Sequence, residues 1–255
     1  MLFNSIVYGP IHSRRLGTSL GVELMPLEHK LCTFNCVYCE CGWNEPVSRP
    51  KLPTREEVRE ALEEKLSNFK IQNSNLDVIT FSGNGEPTLH PDFLGIIEDT
   101  IALRDRYCPK AKVSVLSNST QLGRPDVVQA LRLCDNRILK LDAATDEMMR
   151  RIDLPVNKNL TVAQIIEWLQ QFNGDFTLQT CFLRGEHAGQ KIDNTTPEEL
   201  EAWYKAVDTL HPKQIMIYVI DRKTPEEHLE KIPRDEMERI AAPLIAKGYD
   251  VIISA

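Results

Sequence analysis

Short apolar runs alternate with longer amphipathic stretches along most of the chain. Leu20 to Met25, Val78 to Ser82, Val113 to Ser117, Ile138 to Asp142, Phe176 to Leu183 and Gln214 to Ile220 are rich in Val, Ile, Leu or aromatics. Turn residues bound each run, which is the pattern of strands. Between them, helix starts are marked by capping boxes, in which a hydroxyl and a carboxyl or amide three residues later satisfy each other's backbone donors. Thr54 with Glu57, Thr161 with Gln164, Thr196 with Glu199 and Thr224 with Glu227 fit this pattern. Pro197 and Pro225 fall at the first helical position, where an N–H is not needed. Val58, Leu62, Leu66 and Phe69 draw one buried stripe along the first helix. Pro243 lies inside the last helical pattern and predicts a kink or an early stop near Ala242.

Six βα repeats in succession predict a parallel sheet, because parallel neighbours need the crossover that helices supply. Polar residues recur near the strand ends as Thr80 and Ser82, Lys140 and Asp142, and Gln179 and Cys181. A doubly wound sheet covers both faces with apolar helix surface, whereas a barrel lines its mouth with chemistry. The expected fold class is therefore α/β, a partial (βα)6 barrel, with the doubly wound sheet as the alternative. No linker, low-complexity tract or charge block divides residues 1–255, so one domain is expected.

Composition narrows the function classes. The 255 residues are 42% hydrophobic and 26% charged, an ordinary globular balance that excludes disorder and collagen. With 30 basic against 37 acidic side chains the net charge is −7. The chain as a whole thus carries no electrostatic footprint for nucleic acid or an anionic membrane, although a local basic patch stays open. No apolar run approaches the ~18 residues of a membrane span, and the first ten residues do not form a signal segment. A cytoplasmic location is expected.

Four of the seven cysteines, Cys32, Cys36, Cys39 and Cys41, fall within ten residues. Cys108, Cys134 and Cys181 are solitary, lie in or beside apolar segments and read as small buried hydrophobes. Cys32, Cys36 and Cys39 form a C-x3-C-x2-C directly after the first strand. A cubane cluster held by three cysteines keeps one iron open for another ligand. A structural zinc site needs four ligands, for which Cys41 or His29 is nominally available, but there is no second C-x2-C knuckle. The spacing favours iron and sulfur.

This loop, with Tyr38 before its last cysteine, resembles the signature of the radical S-adenosylmethionine superfamily, whose members have partial (βα)6 barrels. Tyr8-Gly-Pro with Ser13-Arg14-Arg15-Leu16-Gly17, the run Phe81 to Pro91, and Ile217 to Arg222 with Thr224-Pro-Glu resemble the branch that includes wyosine synthase-type Fe–S oxidoreductases. Wyosine synthases carry a second cluster on cysteines upstream of this loop, and residues 1–31 contain none. One [4Fe-4S] cluster on Cys32, Cys36 and Cys39 is expected.

The resemblance implies S-adenosylmethionine as cofactor. Gly83, Asn84, Gly85 and Glu86 resemble the family's Gly-Gly-Glu motif, with glycines admitting a ligand close to the backbone and Glu86 facing a cationic ammonium. Ser117 and Asn118 are candidates for the methionyl carboxylate or ribose, and Lys140 and Asp142 end the next strand, with Asp142 toward the ribose hydroxyls. Gln179 and Tyr218 are candidates for the sulfonium side and the adenine. Arg14 and Arg15 are candidates for the cofactor or a substrate anion. Asp221 and Arg222 belong at the catalytic mouth, Cys181 is a candidate hydrogen donor, and Cys41 and Trp43 shield the cluster.

The expected function is a radical S-adenosylmethionine enzyme acting on an unidentified substrate and fed by a reducing partner such as flavodoxin or ferredoxin. A tRNA-modifying enzyme of the same chemistry requires a basic surface at the barrel mouth, which the net acidity does not favour. A non-enzymatic zinc-binding protein is the remaining alternative.

Overall fold

The structure, a computed structural model, describes residues 2–13, 17–72 and 75–255. Two compact units are built from interleaved segments. The first comprises Met1–Cys32, Asn44–Ser117 and Gln121–Arg137, and the second Thr33–Trp43, Asn118–Thr120 and Ile138–Ala255.

The first unit contains β1 (Val7–Ser13), β2 (Gly17–Val22), α1 (Arg55–Gln72), β3 (Val78–Phe81), α2 (Phe93–Tyr107), β4 (Lys112–Ser117) and α3 (Pro125–Leu133). β1 and β2 pair antiparallel, and β2, β3 and β4 run parallel side by side. The capping box at the start of α1 forms as expected: Thr54 N–H donates to Glu57 Oε2 at 2.7 Å and Glu57 N–H to Thr54 Oγ1 at 3.2 Å. Val58, Leu62 and Leu66 are buried along one stripe, and Phe69 is half-buried. All four residues of β3 are buried, consistent with a parallel strand covered on both faces.

In chain order the second unit holds β5 (Asn136–Lys140, of which Ile138–Lys140 belong here), α4 (Asp146–Ile152), α5 (Val162–Gln170), β6 (Thr177–Cys181), β7 (Leu183–His187), β8 (Gln190–Asp193), α6 (Pro197–Leu210), β9 (Gln214–Tyr218), β10 (Leu229–Lys231), α7 (Arg234–Ala246) and β11 (Val251–Ser254). β5, β6, β9 and β11 form a parallel ladder in that order. A separate antiparallel sheet runs β10-β7-β8.

Several expectations are corrected. The first predicted strand stops at Val22 rather than Met25, where Glu23 takes up local backbone donors. The run Phe176 to Leu183 is two strands: β6 ends at Cys181, Phe182 makes a last N–H bond to the Tyr218 carbonyl of β9 at 2.9 Å, and β7 joins the antiparallel sheet. No helix follows Thr224. Its hydroxyl donates to the Glu226 carbonyl, and the chain enters β10, pairing with β7 in place of helical bonds. Pro243 does not end α7, which continues to Ala246. β11, too short to stand out as a pattern, is an added parallel strand beside β9.

Candidate functional site

Backbone bonds shape the cysteine loop. Cys39 N–H donates to the Cys36 carbonyl at 3.1 Å and Gly42 N–H to the Cys39 carbonyl at 2.9 Å. Cys36-Val37-Tyr38-Cys39 thus closes as a turn that brings its terminal cysteines near one another. Gly42 adopts φ +86°, which an L side chain rarely does. The loop is also stapled to the end of α4: Asn35 N–H donates to the Asp153 carbonyl at 2.8 Å, Val37 N–H to that of Ile152 at 2.9 Å, and Val156 N–H to that of Thr33 at 2.9 Å. Upstream, Asn44 Nδ2 donates to the Cys32 carbonyl at 3.0 Å. None of the seven cysteines is in a disulfide; Cys36 is buried and Cys32, Cys39 and Cys41 are half-buried. Among the described residues no group of three or more His, Cys, Asp or Glu side chains surrounds one ion-sized position.

A buried polar network lies behind Cys36. Lys140 Nζ stands 2.9 Å from Asp142 Oδ2, 3.1 Å from Asp153 Oδ1 and 3.1 Å from Cys36 Sγ. It also lies 4.8 Å from the centre of the Tyr38 ring and 5.5 Å from that of Phe34. Burial opposes its charge, but Asp142, Asp153 and Cys36 outweigh burial and hold the ammonium well above the ordinary lysine range. Burial raises the Asp153 carboxyl to about 6 against the pull of Lys140. The Tyr38 hydroxyl donates to Asp142 Oδ2, and Cys181 N–H donates to Asp142 Oδ1 at 2.8 Å. Burial, then the Asp142 charge, pushes the Tyr38 hydroxyl well up.

Cys181 and Tyr218, on neighbouring strands, interact through their side chains, and burial raises both well above their usual ranges. Cys181 is fully buried, and its carbonyl accepts from Asn194 Nδ2 at 2.7 Å. Gln179 is buried and points its Nε2 to Met216 Sδ at 3.6 Å. Asn118 Nδ2 donates to Thr33 Oγ1 at 2.8 Å, and its Oδ1 accepts from Thr120 N–H at 3.0 Å. Asp221 and Arg222 lie in the exposed loop after β9, where Asp221 is 3.8 Å from Lys231 Nζ and Arg222 bonds Glu40 at 2.7 Å, next to Cys39. Trp43 faces the His187 ring at 5.4 Å, and His187 Nδ1 lies 2.7 Å from Glu226. Arg14 and Arg15 lie outside the described residues.

In the first unit, the turn after β3 is built on Gly83 and Gly85. A Cβ on Gly83, at φ +152°, would come within 2.0 Å of Glu23 Oε2, and one on Gly85 within 1.7 Å of the Leu31 carbonyl. Leu31 N–H donates to the Asn84 carbonyl at 3.0 Å and Glu86 N–H to the Leu31 carbonyl at 3.1 Å. The residue preceding Cys32 is thereby fastened to this turn. The Asn84 side chain is committed to the protein, bonding the Phe3 N–H and carbonyl at 2.8 Å each and the Pro26 carbonyl at 3.0 Å. Glu86 caps the 3-10 turn Pro87–Leu89, accepting from Thr88 N–H at 3.1 Å, and also accepts from Ser117 Oγ at 2.9 Å. Buried Glu23 accepts from Asn84 N–H at 2.6 Å and Met25 N–H at 2.7 Å, and burial still raises its carboxyl to about 7.

The Radical SAM superfamily model matches residues 29–195, from before Cys32 to beyond β8. The chain belongs to the radical SAM superfamily. A protein of Brachyspira hyodysenteriae named GTPase Obg is 32% identical over 237 residues, 91% of this chain and 32% of that protein. A UPF0026 protein of Helicobacter pylori is 33% identical over 183 residues, 71% of this chain and 57% of that one. A UPF0026 protein of Synechocystis sp. is 35% identical over 226 residues, 86% of this chain and 77% of that one. The chain thus spans a third to somewhat over half of the first two relatives. TYW1 with a lysine-pyruvate adduct bound has a TM-score of 0.63 at 16% identity, covering 91% of this chain and 74% of that one. A radical SAM methyltransferase from Sphaerobacter thermophilus has a TM-score of 0.60 at 12% identity, covering 92% and 65%. These likenesses show the fold, the α/β partial barrel of radical SAM proteins. No helix among the described residues is long and apolar enough to cross a membrane.

The chemistry of the donor set of this radical SAM chain suits an iron–sulfur cluster: Cys32, Cys36 and Cys39 are thiols outside any disulfide, and a buried cation lies against Cys36. Glu23 and Asp153 were not picked out from the sequence. Glu23 left one signal, a carboxylate within an apolar strand run. Asp153 left none, because its partners Cys36 and Lys140 are distant in the chain.

Proposed function

We propose that this chain is an enzyme that reductively cleaves S-adenosylmethionine at a [4Fe-4S] cluster on Cys32, Cys36 and Cys39 and turns the resulting radical on a substrate yet to be identified. When bound, the cluster supplies an electron and an open iron, and S-adenosylmethionine supplies a 5′-deoxyadenosyl group that takes hydrogen from the substrate. The observation that carries this reading is the C-x3-C-x2-C of thiols outside any disulfide, inside the superfamily match at residues 29–195.

In this reading Glu86, held by Ser117 and Thr88, receives the methionyl ammonium. Gly83 and Gly85 shape the turn beside it, and Asn84 contributes backbone only, since its side chain is already bonded. Asn118 orients the loop through Thr33. Asp142 just past β5, Gln179 within β6 and Tyr218 at the end of β9 hold the nucleoside, with Cys181, the last residue of β6, as hydrogen donor. Asp221 and Arg222 contact substrate from the exposed loop. A low-potential one-electron carrier such as flavodoxin or ferredoxin delivers the electron.

The test is anaerobic reconstitution with iron and sulfide, reduction by dithionite, and measurement of 5′-deoxyadenosine by mass spectrometry. The nucleoside is expected to form slowly alone and faster with the cell-extract fraction that holds the substrate. A protein that takes up a four-iron cluster yet forms no 5′-deoxyadenosine under either condition overturns the reading.

A further inference from the structure

We propose that Lys140 is the counter-cation of the cluster: its ammonium, clamped between Asp142 and Asp153, donates to the Cys36 sulfur and sets the cluster's reduction potential. The inference rests on the reading that Cys36 is a cluster ligand, and it moves Lys140 from the cofactor-binding role expected from the sequence to the sulfur side of the site.

The geometry leaves the ammonium little freedom. A lysine has three N–H donors and no acceptor. Here three acceptors surround Nζ, at 2.9 Å (Asp142), 3.1 Å (Asp153) and 3.1 Å (Cys36 Sγ). The rings of Tyr38 and Phe34 form its walls, a setting in which a cation is held by ring electrostatics. The Lys140 side chain is 12% exposed and the two carboxylates 0% and 3%, so these contacts are largely sheltered from solvent screening. A surface lysine that happened to reach a thiol would have none of this enclosure.

The clamp is built into the backbone. Asp153 follows α4, and its carbonyl and that of Ile152 accept from Asn35 and Val37 on either side of Cys36. The backbones that carry the Asp153 carboxylate and the Cys36 sulfur are thus fastened together, and the sulfur lies 3.4 Å from Asp153 Oδ1. Asp142 is fixed independently by the Tyr38 hydroxyl and the Cys181 N–H. Lys140 bridges two anchored carboxylates beside the sulfur.

Hydrogen bonds to cluster sulfurs and nearby net charge set the potential of an iron–sulfur centre. Added negative charge on reduction is favoured by a cation at the ligand sulfur. With Lys140 neutralised, two carboxylates would face that sulfur uncompensated, and reduction would become harder. The effect belongs to the cluster itself and precedes any binding of S-adenosylmethionine.

The experiment is a redox titration of the reconstituted protein followed by electron paramagnetic resonance, without S-adenosylmethionine, on wild type, Lys140→Met, Lys140→Gln, Lys140→Arg and Asp153→Asn. The neutral variants are expected to shift the midpoint negative by at least tenfold in the one-electron equilibrium, about 59 mV. Lys140→Arg should stay near wild type, because it keeps both charge and donors. Asp153→Asn keeps the ammonium and removes one carboxylate, so its midpoint should move positive, and this variant serves if the neutral ones fail to fold. Unmoved midpoints in the variants that hold a cluster overturn the proposal, even where their affinity for S-adenosylmethionine falls, since that pattern makes Lys140 a cofactor contact only. Wild-type protein that takes up no cluster instead overturns the assignment of Cys36 on which the proposal stands.

Discussion

The Ser117 hydroxyl, at the end of β4, donates to the Glu86 carboxylate at 2.9 Å, and both side chains are buried. Two residues that the sequence placed separately at neighbouring strand ends are one hydrogen-bonded unit. The same oxygen of Glu86 also accepts from Thr88, so the carboxylate is aimed by three donors before any ligand arrives. A group positioned in this way loses little freedom on binding a cation.

Glu86→Gln keeps an acceptor for Thr88 and Ser117 and removes the charge. A charge-assisted contact is worth roughly 1.5–3 kcal/mol, so S-adenosylmethionine should bind about one to two decades more weakly with the fold retained. Calorimetric titration of the reconstituted protein checks this. Unchanged affinity would move the ammonium site elsewhere.

Cys32→Ala, Cys36→Ala and Cys39→Ala should each lose most of the bound iron and sulfide, whereas Cys41→Ala should keep them. Cys36 and Cys39 share the closed turn, while Cys41 lies beyond it. Iron and sulfide analysis of anaerobic protein decides the matter. Retention in Cys36→Ala together with loss in Cys41→Ala would reverse the ligand assignment.

What was legible in the sequence is what is local along it. The cysteine spacing, the Gly83 to Glu86 turn and most of the parallel strands depend on neighbours within a few residues. The clamp on Lys140 was hidden because it depends on Asp153, 117 residues from Cys36. Thr224 with Glu227 misled for the complementary reason. It satisfies the local capping pattern, but pairing of β10 with β7 takes the following residues out of any helix. The run from Phe176 to Leu183 closes on Cys181, Phe182 and Leu183 with no Gly, Pro, Asn or Asp among them, so nothing local marked Phe182 as the point at which the chain changes sheets.

Gly85→Ala should be among the most damaging small substitutions in the first unit. Its Cβ would lie 1.7 Å from the Leu31 carbonyl and 2.6 Å from the carbonyl carbon, both backbone atoms that no rotamer change can move aside. The Leu31 to Gly85 bridge, flanked by the bonds of Asn84 and Glu86, would have to part. We expect a loss of at least about 3 kcal/mol of stability, the upper range for overpacking. Urea unfolding measures it, with Gly42→Ala as a comparison in which no atom lies within 4 Å of the new Cβ. Equal stability of the two variants would contradict the close approach.

Glu23 gives the first unit a pH dependence whose sign is opposite to that of an ion-paired carboxylate. Burial raises its folded pKa from 4.5 to about 7, against the N–H bonds from Asn84, Met25 and Leu24. Between those values the folded state holds a proton that the unfolded chain has released, so folding binds protons and stability falls as pH rises. The contribution is fully present below the unfolded value and is lost as pH climbs through about 7. Its ceiling is about 3 kcal/mol, at 1.36 kcal/mol for each pKa unit. Glu23→Gln cannot titrate, although its amide faces a backbone donor and costs some stability at every pH. The stability advantage of wild type over Glu23→Gln should therefore be largest near about pH 5 and shrink toward about pH 8. Urea unfolding of both proteins across that range reads the difference directly. A difference that stays constant with pH would mean that Glu23 is ionised throughout and that its backbone donors outweigh its burial.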